Sequence, residues 1–161
     1  MELVIGESVK KTNRLFVKSY TEDYCKAITE NYRQYHIRTL KGNLSGNYPE
    51  YARQQLDEIE NGTANLMKFE IREGKKYYKI VQMEYDRVWK NGIIDDSNIL
   101  YEYREGSVHA FGDKNTGDVY KPASWKAPAK HVRFTFQKPE DIRFLLTPRN
   151  VDWAGGYLYM R

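Results

Sequence analysis

At Gly62 the spacing of apolar residues changes from the period of a helix to the period of a strand. Before it, Tyr24, Ile28, Tyr32 and Tyr35 recur at helical intervals, and Ala52, Leu56 and Ile59 form a second stripe. After it, Met67, Phe69 and Ile71 alternate with Lys68, Glu70 and Arg72, the pattern of a half-buried strand. A chain that switches period once, with no repeat before or after, reads as helices followed by an antiparallel sheet. With 161 residues it is long enough to bury a core as one domain spanning residues 1–161.

Turn chemistry divides the chain further. Thr21 can cap a helix that carries Glu22 and Asp23 in its first turn and ends near Gly42. Ahead of it, residues 13–20 are expected to form a short strand, and Val4, Ile5 and Val9 a first strand or docking segment. A second helix is expected over residues 49–61, opened by Pro49 and closed by Asn61 and Gly62. Strands follow over residues 67–72, 76–85, 99–103 and 108–111, with a return beginning at Val119 and Tyr120. Turns fall at Glu73, Gly74 and Lys75, at Asn91 and Gly92, and at Glu105 and Gly106. In the loop 113–118, Gly117 is expected to take a positive φ. Residues 139–145 open a short helix that Pro148 stops, and the aromatic end, with Trp153, Tyr157, Leu158 and Tyr159, is expected to tuck back onto the domain. The fold class is therefore α+β: two N-terminal helices packed on an antiparallel meander of about five strands, with an irregular C-terminal segment.

Charge is distributed unevenly. Lys and Arg number 26 against 22 Asp and Glu, yet residues 119–139 contain no acid at all. That window carries Lys121, Lys126, Lys130, Arg133 and Lys138, one indole at Trp125, and Pro122, Pro128 and Pro139. Proline bars a long helix or a central strand, so the window reads as a stiff, proline-bearing cationic loop. Lys121, Trp125, Lys126, Lys130 and Arg133 are the candidate binding residues, with lysines and arginine on phosphates or an acidic protein face and the indole on a base or in a partner pocket. The alternative is a solvated surface with Trp125 plugging the end of the sheet. Lys75, Lys76, Tyr78 and Lys79 make a second patch of interleaved aromatics and lysines; the competing reading is a strand edge guarded by lysine.

Segment 107–133 also resembles part of a group of small uncharacterised proteins of tailed bacteriophages. The residues that carry the resemblance are Asp113, Gly117, Asp118, Val119, Lys121, Ala123, Trp125, Lys126, Pro128, Ala129, Lys130 and Arg133. It covers about a sixth of the chain. It implies a phage gene product, present in the cytoplasm of the bacterial host or carried in the virion, and assigns no residue a role.

Catalytic signals are weak. Cys25 stands alone beside acids, which favours a structural cysteine and excludes an intramolecular disulfide. His36, His109 and His131 are scattered, and His109 reads as a packed side chain. Loop 113–118 departs from a calcium loop, with its glycine in the fifth position and Ser124 where a glutamate is needed. Phosphate loops, dinucleotide fingerprints and nucleophile elbows are missing from the sequence, as are a signal peptide and an apolar run of membrane-spanning length. No cofactor and no metal is expected. The leading expectation is a non-catalytic accessory protein that binds a polyanion, nucleic acid first. The alternative is a protein–protein module, either a virion component or an inhibitor of a host protein, to which the 14 tyrosines are suited.

Overall fold

The computed structural model describes residues 2–89 and 99–159, with side chains over 14–88 and 100–159. Helix α1 (Glu2–Asn43) and helix α2 (Pro49–Glu60) precede strands β1 (Lys68–Glu73), β2 (Tyr77–Trp89), β3 (Ile99–Asp113), β4 (Asp118–Pro122) and β5 (Pro128–Thr135). Helix α3 (Pro139–Leu145) and two single 3-10 turns, Pro148–Asn150 and Gly156–Leu158, complete the chain. The strands form an antiparallel meander in the order β1-β2-β3-β4-β5. The chain is thus α+β, and none of the helices described is long and apolar enough to cross a membrane.

Two expectations for the N-terminus are overturned. The strands proposed for residues 13–20 and around Val4, Ile5 and Val9 are instead part of one 42-residue helix. The reason lies in spacing: Val17, Thr21, Tyr24 and Ile28 fall at steps of four, three and four, and all are buried. The apolar run that resembles a strand is the first turn of the stripe continued by Tyr24 and Ile28. Thr21 is therefore no cap; fully buried in mid-helix, it donates its hydroxyl back to the Val17 carbonyl at 2.6 Å.

Helix α1 lies on the sheet. Tyr24 and Ile28 join Phe69, Tyr78, Ile80, Ala110 and Val119 in the main core, and the Thr29 hydroxyl accepts the Phe69 N–H at 3.1 Å. Fully burying a side chain such as Ile28 contributes about 1.5–3 kcal/mol. Helix α2 packs differently from the expected placement on the sheet. Ala52 and Ile59 meet Leu40 in a separate cluster with Ile37, Leu44 and Leu66 near the end of α1. Its proline start and Asn61–Gly62 end are as expected, with Thr63 and Ala64 N–H groups donating to the Glu58 carbonyl.

The count of strands agrees with expectation for a different reason. The stretches 99–103 and 108–111 are one continuous strand, and Glu105 and Gly106 form no turn. The register slips between Val81↔Val108 and Met83↔Glu105, so β3 accommodates extra residues as bulges. A Cβ on Gly106 would lie 2.9 Å from Glu84 Oε1 and 3.1 Å from the Gln82 carbonyl, so a larger residue here would displace the Glu84 side chain and crowd the β2 backbone. The fifth strand comes from the acid-free window. Residues 119–139 are not a loop: β4 and β5 form a hairpin at the sheet edge, where Pro122 pairs with Pro128. Both prolines fit because Pro122 lies past the last β4 residue paired to β3, Tyr120, and Pro128 opens the edge strand. The turn at Asn91 and Gly92 lies outside the described residues.

The C-terminal segment docks as expected. Asn31 of α1 donates to the Pro148 carbonyl at 2.8 Å and accepts from Trp153 N–H at 2.9 Å, while Tyr32 meets the Trp153 ring edge-on at 5.3 Å. Tyr157 completes a polar chain within the core, its hydroxyl bonded to both Tyr24 and His109 Nε2. His109 is the extra residue where β3 slips between Ile80↔Ala110 and Val81↔Val108. Burial lowers its imidazole from the ordinary 6.5 to about 4, against the opposing pull of Asp152 and the Trp153 backbone.

Two outcomes follow. Gly117 has φ +75°, and an added Cβ would sit 3.1 Å from Phe136 Cβ and 3.3 Å from Val17 Cγ2. Gly117→Ala is expected to lower unfolding free energy by about 1–3 kcal/mol in a denaturant titration. For His109, the unfolded chain takes up a proton near pH 6.5 that the native imidazole refuses until about 4. Stability from this group is complete above the upper value and falls as pH drops through that window, by roughly 3 kcal/mol in total. An NMR titration of the native protein should find His109 still neutral at pH 5; a midpoint near its ordinary value would refute the burial argument.

Candidate functional site

Directly opposed residues in an antiparallel ladder share a face of the sheet. Tyr78, Ile80, Ala110 and Val119 face α1, so their neighbours Tyr77, Lys79, Phe111 and Tyr120 face away from it. Phe111 is nonetheless only 2% exposed, because Tyr77 meets it edge-on at 5.8 Å, with Tyr120 a further 6.2 Å from Tyr77. The β4–β5 tip, closed by Ala123 and Ser124 N–H groups on the Ala127 carbonyl, brings Trp125 over this outer face. Lys79 Nζ stands 4.4 Å from the indole centroid, a cation–π contact that orients the ring while leaving it 40% exposed.

Beside the indole lies a cleft of about 290 Å³ between the β1–β2 turn and the hairpin tip. Its walls are Arg72, Glu73, Gly74, Lys75, Lys76, Tyr77, Lys79, Phe111 and Lys126. Five of these side chains are cationic and one is acidic. Among the described residues, Lys75, Lys76, Lys79 and Lys126 have no carboxylate within 4.0 Å. Nearby acids are engaged elsewhere. Arg72 holds Glu105 at 2.9 Å and Glu70 at 3.1 Å; with Lys68, first by its hydrogen bond, it keeps the Glu70 carboxyl below its ordinary range. Glu73 lies 3.5 Å from Lys114. Asp113 is buried and accepts the Asn115 and Thr116 N–H groups, which makes its loop a hairpin turn. Hydrogen bonding of the Lys76 ammonium, as donor, to Tyr77 is the main influence raising it above its ordinary value, with the Asp113 carboxylate adding to the effect.

The two patches expected from the sequence therefore meet: Trp125 and Lys126 of the hairpin face Lys75 and Lys76 of the β1–β2 turn and Lys79 of β2. The other candidates do not join them. Tyr78 is 3% exposed and belongs to the core, because in a strand it points opposite to Tyr77 and Lys79. Lys121 reaches the tail instead, its Nζ 4.5 Å from the Tyr159 ring. Arg133 is the extra residue between Val119↔Phe134 and Tyr120↔Val132, and it ties β5 to the tail: Nε donates to the Leu158 carbonyl at 2.7 Å and Nη1 to the His131 carbonyl. Lys130 is exposed on β5. Sequence reasoning missed Arg72, Phe111 and Tyr120; only the cross-strand register brings them together.

A depression of about 560 Å³ lies between α1 and β1 and includes Cys25. Burial, followed by Glu22 and Glu70, pushes that thiol up to about 12, so it is neither a nucleophile nor a thiolate ligand at neutral pH.

Neither a curated protein nor a solved structure matches this chain. The model of a family of unknown function, DUF7717, matches residues 2–160, and the chain belongs to that family.

Proposed function

We propose that this chain is a non-catalytic accessory protein of a tailed bacteriophage that binds nucleic acid through the cleft between the β1–β2 turn and the β4–β5 tip. The observation that carries the reading is the set of four lysines, Lys75, Lys76, Lys79 and Lys126, which lack carboxylate partners among the described residues and flank a half-exposed indole. Lysine ammoniums act as point charges toward phosphate oxygens, and an indole offers a π face to any base. This pairing favours a single strand, whose bases are free to stack, over a duplex, whose bases are not. The phage context rests on the resemblance of segment 107–133.

A protein–protein module is the second reading. Leu15 and Phe16 on α1 are 71% and 57% exposed, and Tyr48 and Tyr51 at α2 are more exposed than aromatic residues usually are.

Fluorescence anisotropy with a labelled single-stranded oligonucleotide tests the first reading. Affinity should fall steeply with salt, with a log–log slope near −0.7 for each phosphate neutralised, so about −3 for four lysines. Lys79→Glu combined with Lys126→Glu should weaken binding at low salt by at least roughly tenfold. Trp125→Ala should cost about 1–3 kcal/mol with an unchanged salt slope. Binding indifferent to salt, or none at low salt, rejects the reading.

A further inference from the structure

Among the described residues, the β2–β3 ribbon has no strand on either side beyond Met83. Pairing of β1 with β2 stops at Lys68↔Met83, and β4 touches β3 only at Phe111 and Gly112. Residues 84–89 and 99–104 therefore form a bare two-stranded ladder, with each strand offering an unpaired row of N–H and C=O groups. Such a ladder is marginal in water, and an uncovered apolar edge invites pairing.

The sheet's edges are treated unequally. At the β5 edge, Pro122 and Pro128 face each other at the hairpin end and Lys130 is exposed. The β3 edge reads Ile99, Leu100, Tyr101, Glu102, Tyr103, Arg104, Glu105, without proline or lysine. Leu100 is 44% and Tyr101 53% exposed. Its guards are the charges of Glu102, Arg104 and Glu105 and the bulge that follows them, and charges of both signs leave room for a complementary partner.

Its charges point to what covers it. Glu102 lies directly opposite Asp86 in the β2–β3 ladder, two acids face to face. Arg104 answers only Asp86, at 2.6 Å, and Glu102 has no cation within 4.0 Å among the described residues. We propose that the free edge of β3 pairs antiparallel with the same edge of a second copy of this chain, about a twofold axis at Tyr103. In that register Glu102 of each copy meets Arg104 of the other, twice by symmetry, while Tyr103 faces its own counterpart. Arg104 has remaining guanidinium donors for this, because one nitrogen suffices for Asp86. Centring one residue to either side opposes Glu102 to Glu102 or Arg104 to Arg104. The β2 edge has no such register: centring at Tyr85 sets Glu84 against Asp86, and centring at Asp86 sets it against itself. Two five-stranded sheets thereby become one continuous sheet across a self-complementary interface.

Size-exclusion chromatography with light scattering, from low micromolar to near-millimolar concentration, tests this. The wild-type chain should be a dimer at the upper end. Glu102→Arg and Arg104→Glu, each alone, reverse the sign of both symmetric pairs and should raise the dimer dissociation constant roughly tenfold or more. Glu102→Arg also removes the repulsion with Asp86 inside the monomer, so its thermal midpoint at low concentration should hold or rise while dimerisation fails. A merely structural role for Glu102 would not produce that split. The double swap, Glu102→Arg with Arg104→Glu, should restore the dimer. A wild-type chain that stays monomeric throughout, even one that keeps another partner on this edge, overturns the proposal. So does a dimer indifferent to both single substitutions, or a swap that restores nothing.

Discussion

Tyr24 and Ile28 of α1 press against Ile80, Ala110 and Val119, and this contact decides what every other residue of the sheet can do. One helix and the docked tail fill the inner face: Asn31 clamps Pro148 and Trp153, and Tyr157 bonds Tyr24. Among the described residues no helix is left for the outer face. A strand side chain that does not point at α1 must therefore either find cover from its neighbours or meet solvent. Phe111 takes the first course beneath Tyr77; Trp125 takes the second in part. The outer face thus becomes the place where aromatic area and charge occur together, without any sequence motif that marks it.

Electrostatics on that face are set more by what the acids do than by how many lysines there are. Arg72, itself about two-fifths exposed, contributes little stability through its bonds to Glu70 and Glu105, since exposed ion pairs are worth about 0–1 kcal/mol. Its larger effect is to neutralise two carboxylates that would otherwise offset Lys79. Glu73 is similarly engaged by Lys114, whereas Asp113, held by its own turn, keeps its charge and helps to raise the Lys76 ammonium. With a screening length of about 8 Å at physiological salt, the field in the cleft is set mainly by its lining, where five of the six charged side chains are positive. The mild net charge of +4 conceals this local excess.

The sequence made the order of elements legible because period and turn chemistry are local. The change at Gly62, the ends of α2, the alternation in β1 and the positive φ of Gly117 all depend on neighbours a few residues away. It misled where two patterns coincide over a short run. Residues 13–20 satisfy a strand's composition, and only the continuation through Thr21 to Ile28 reveals a helix. Glu105 and Gly106 carry a turn's chemistry but serve a bulge, a distinction made by Glu84 and Gln82 on another strand. The site was half legible for the same reason. Lysines in an acid-free window can be counted; that Lys126 faces Lys79 while Lys121 turns to Tyr159 depends on a register no single segment contains.

The cleft and the bare ribbon lie on the same two strands yet act at a distance from each other. Lys79 and Tyr85 are six residues apart along β2, about 20 Å at the rise of a strand. That exceeds the screening length, so Glu102 and Arg104 neither deepen nor cancel the field at Lys79. The same rigid ladder that separates the two sites also fixes their geometry. Two copies joined at Tyr103 would hold their lysine clefts about 40 Å apart on one continuous sheet. A polyanion long enough to reach both would bind the second cleft at the high effective concentration set by that span, whereas a shorter one would bind each cleft separately. The long ribbon and the modest charge of each cleft would then be complementary: weak contacts on one copy would gain strength if a continuous sheet presented them in pairs.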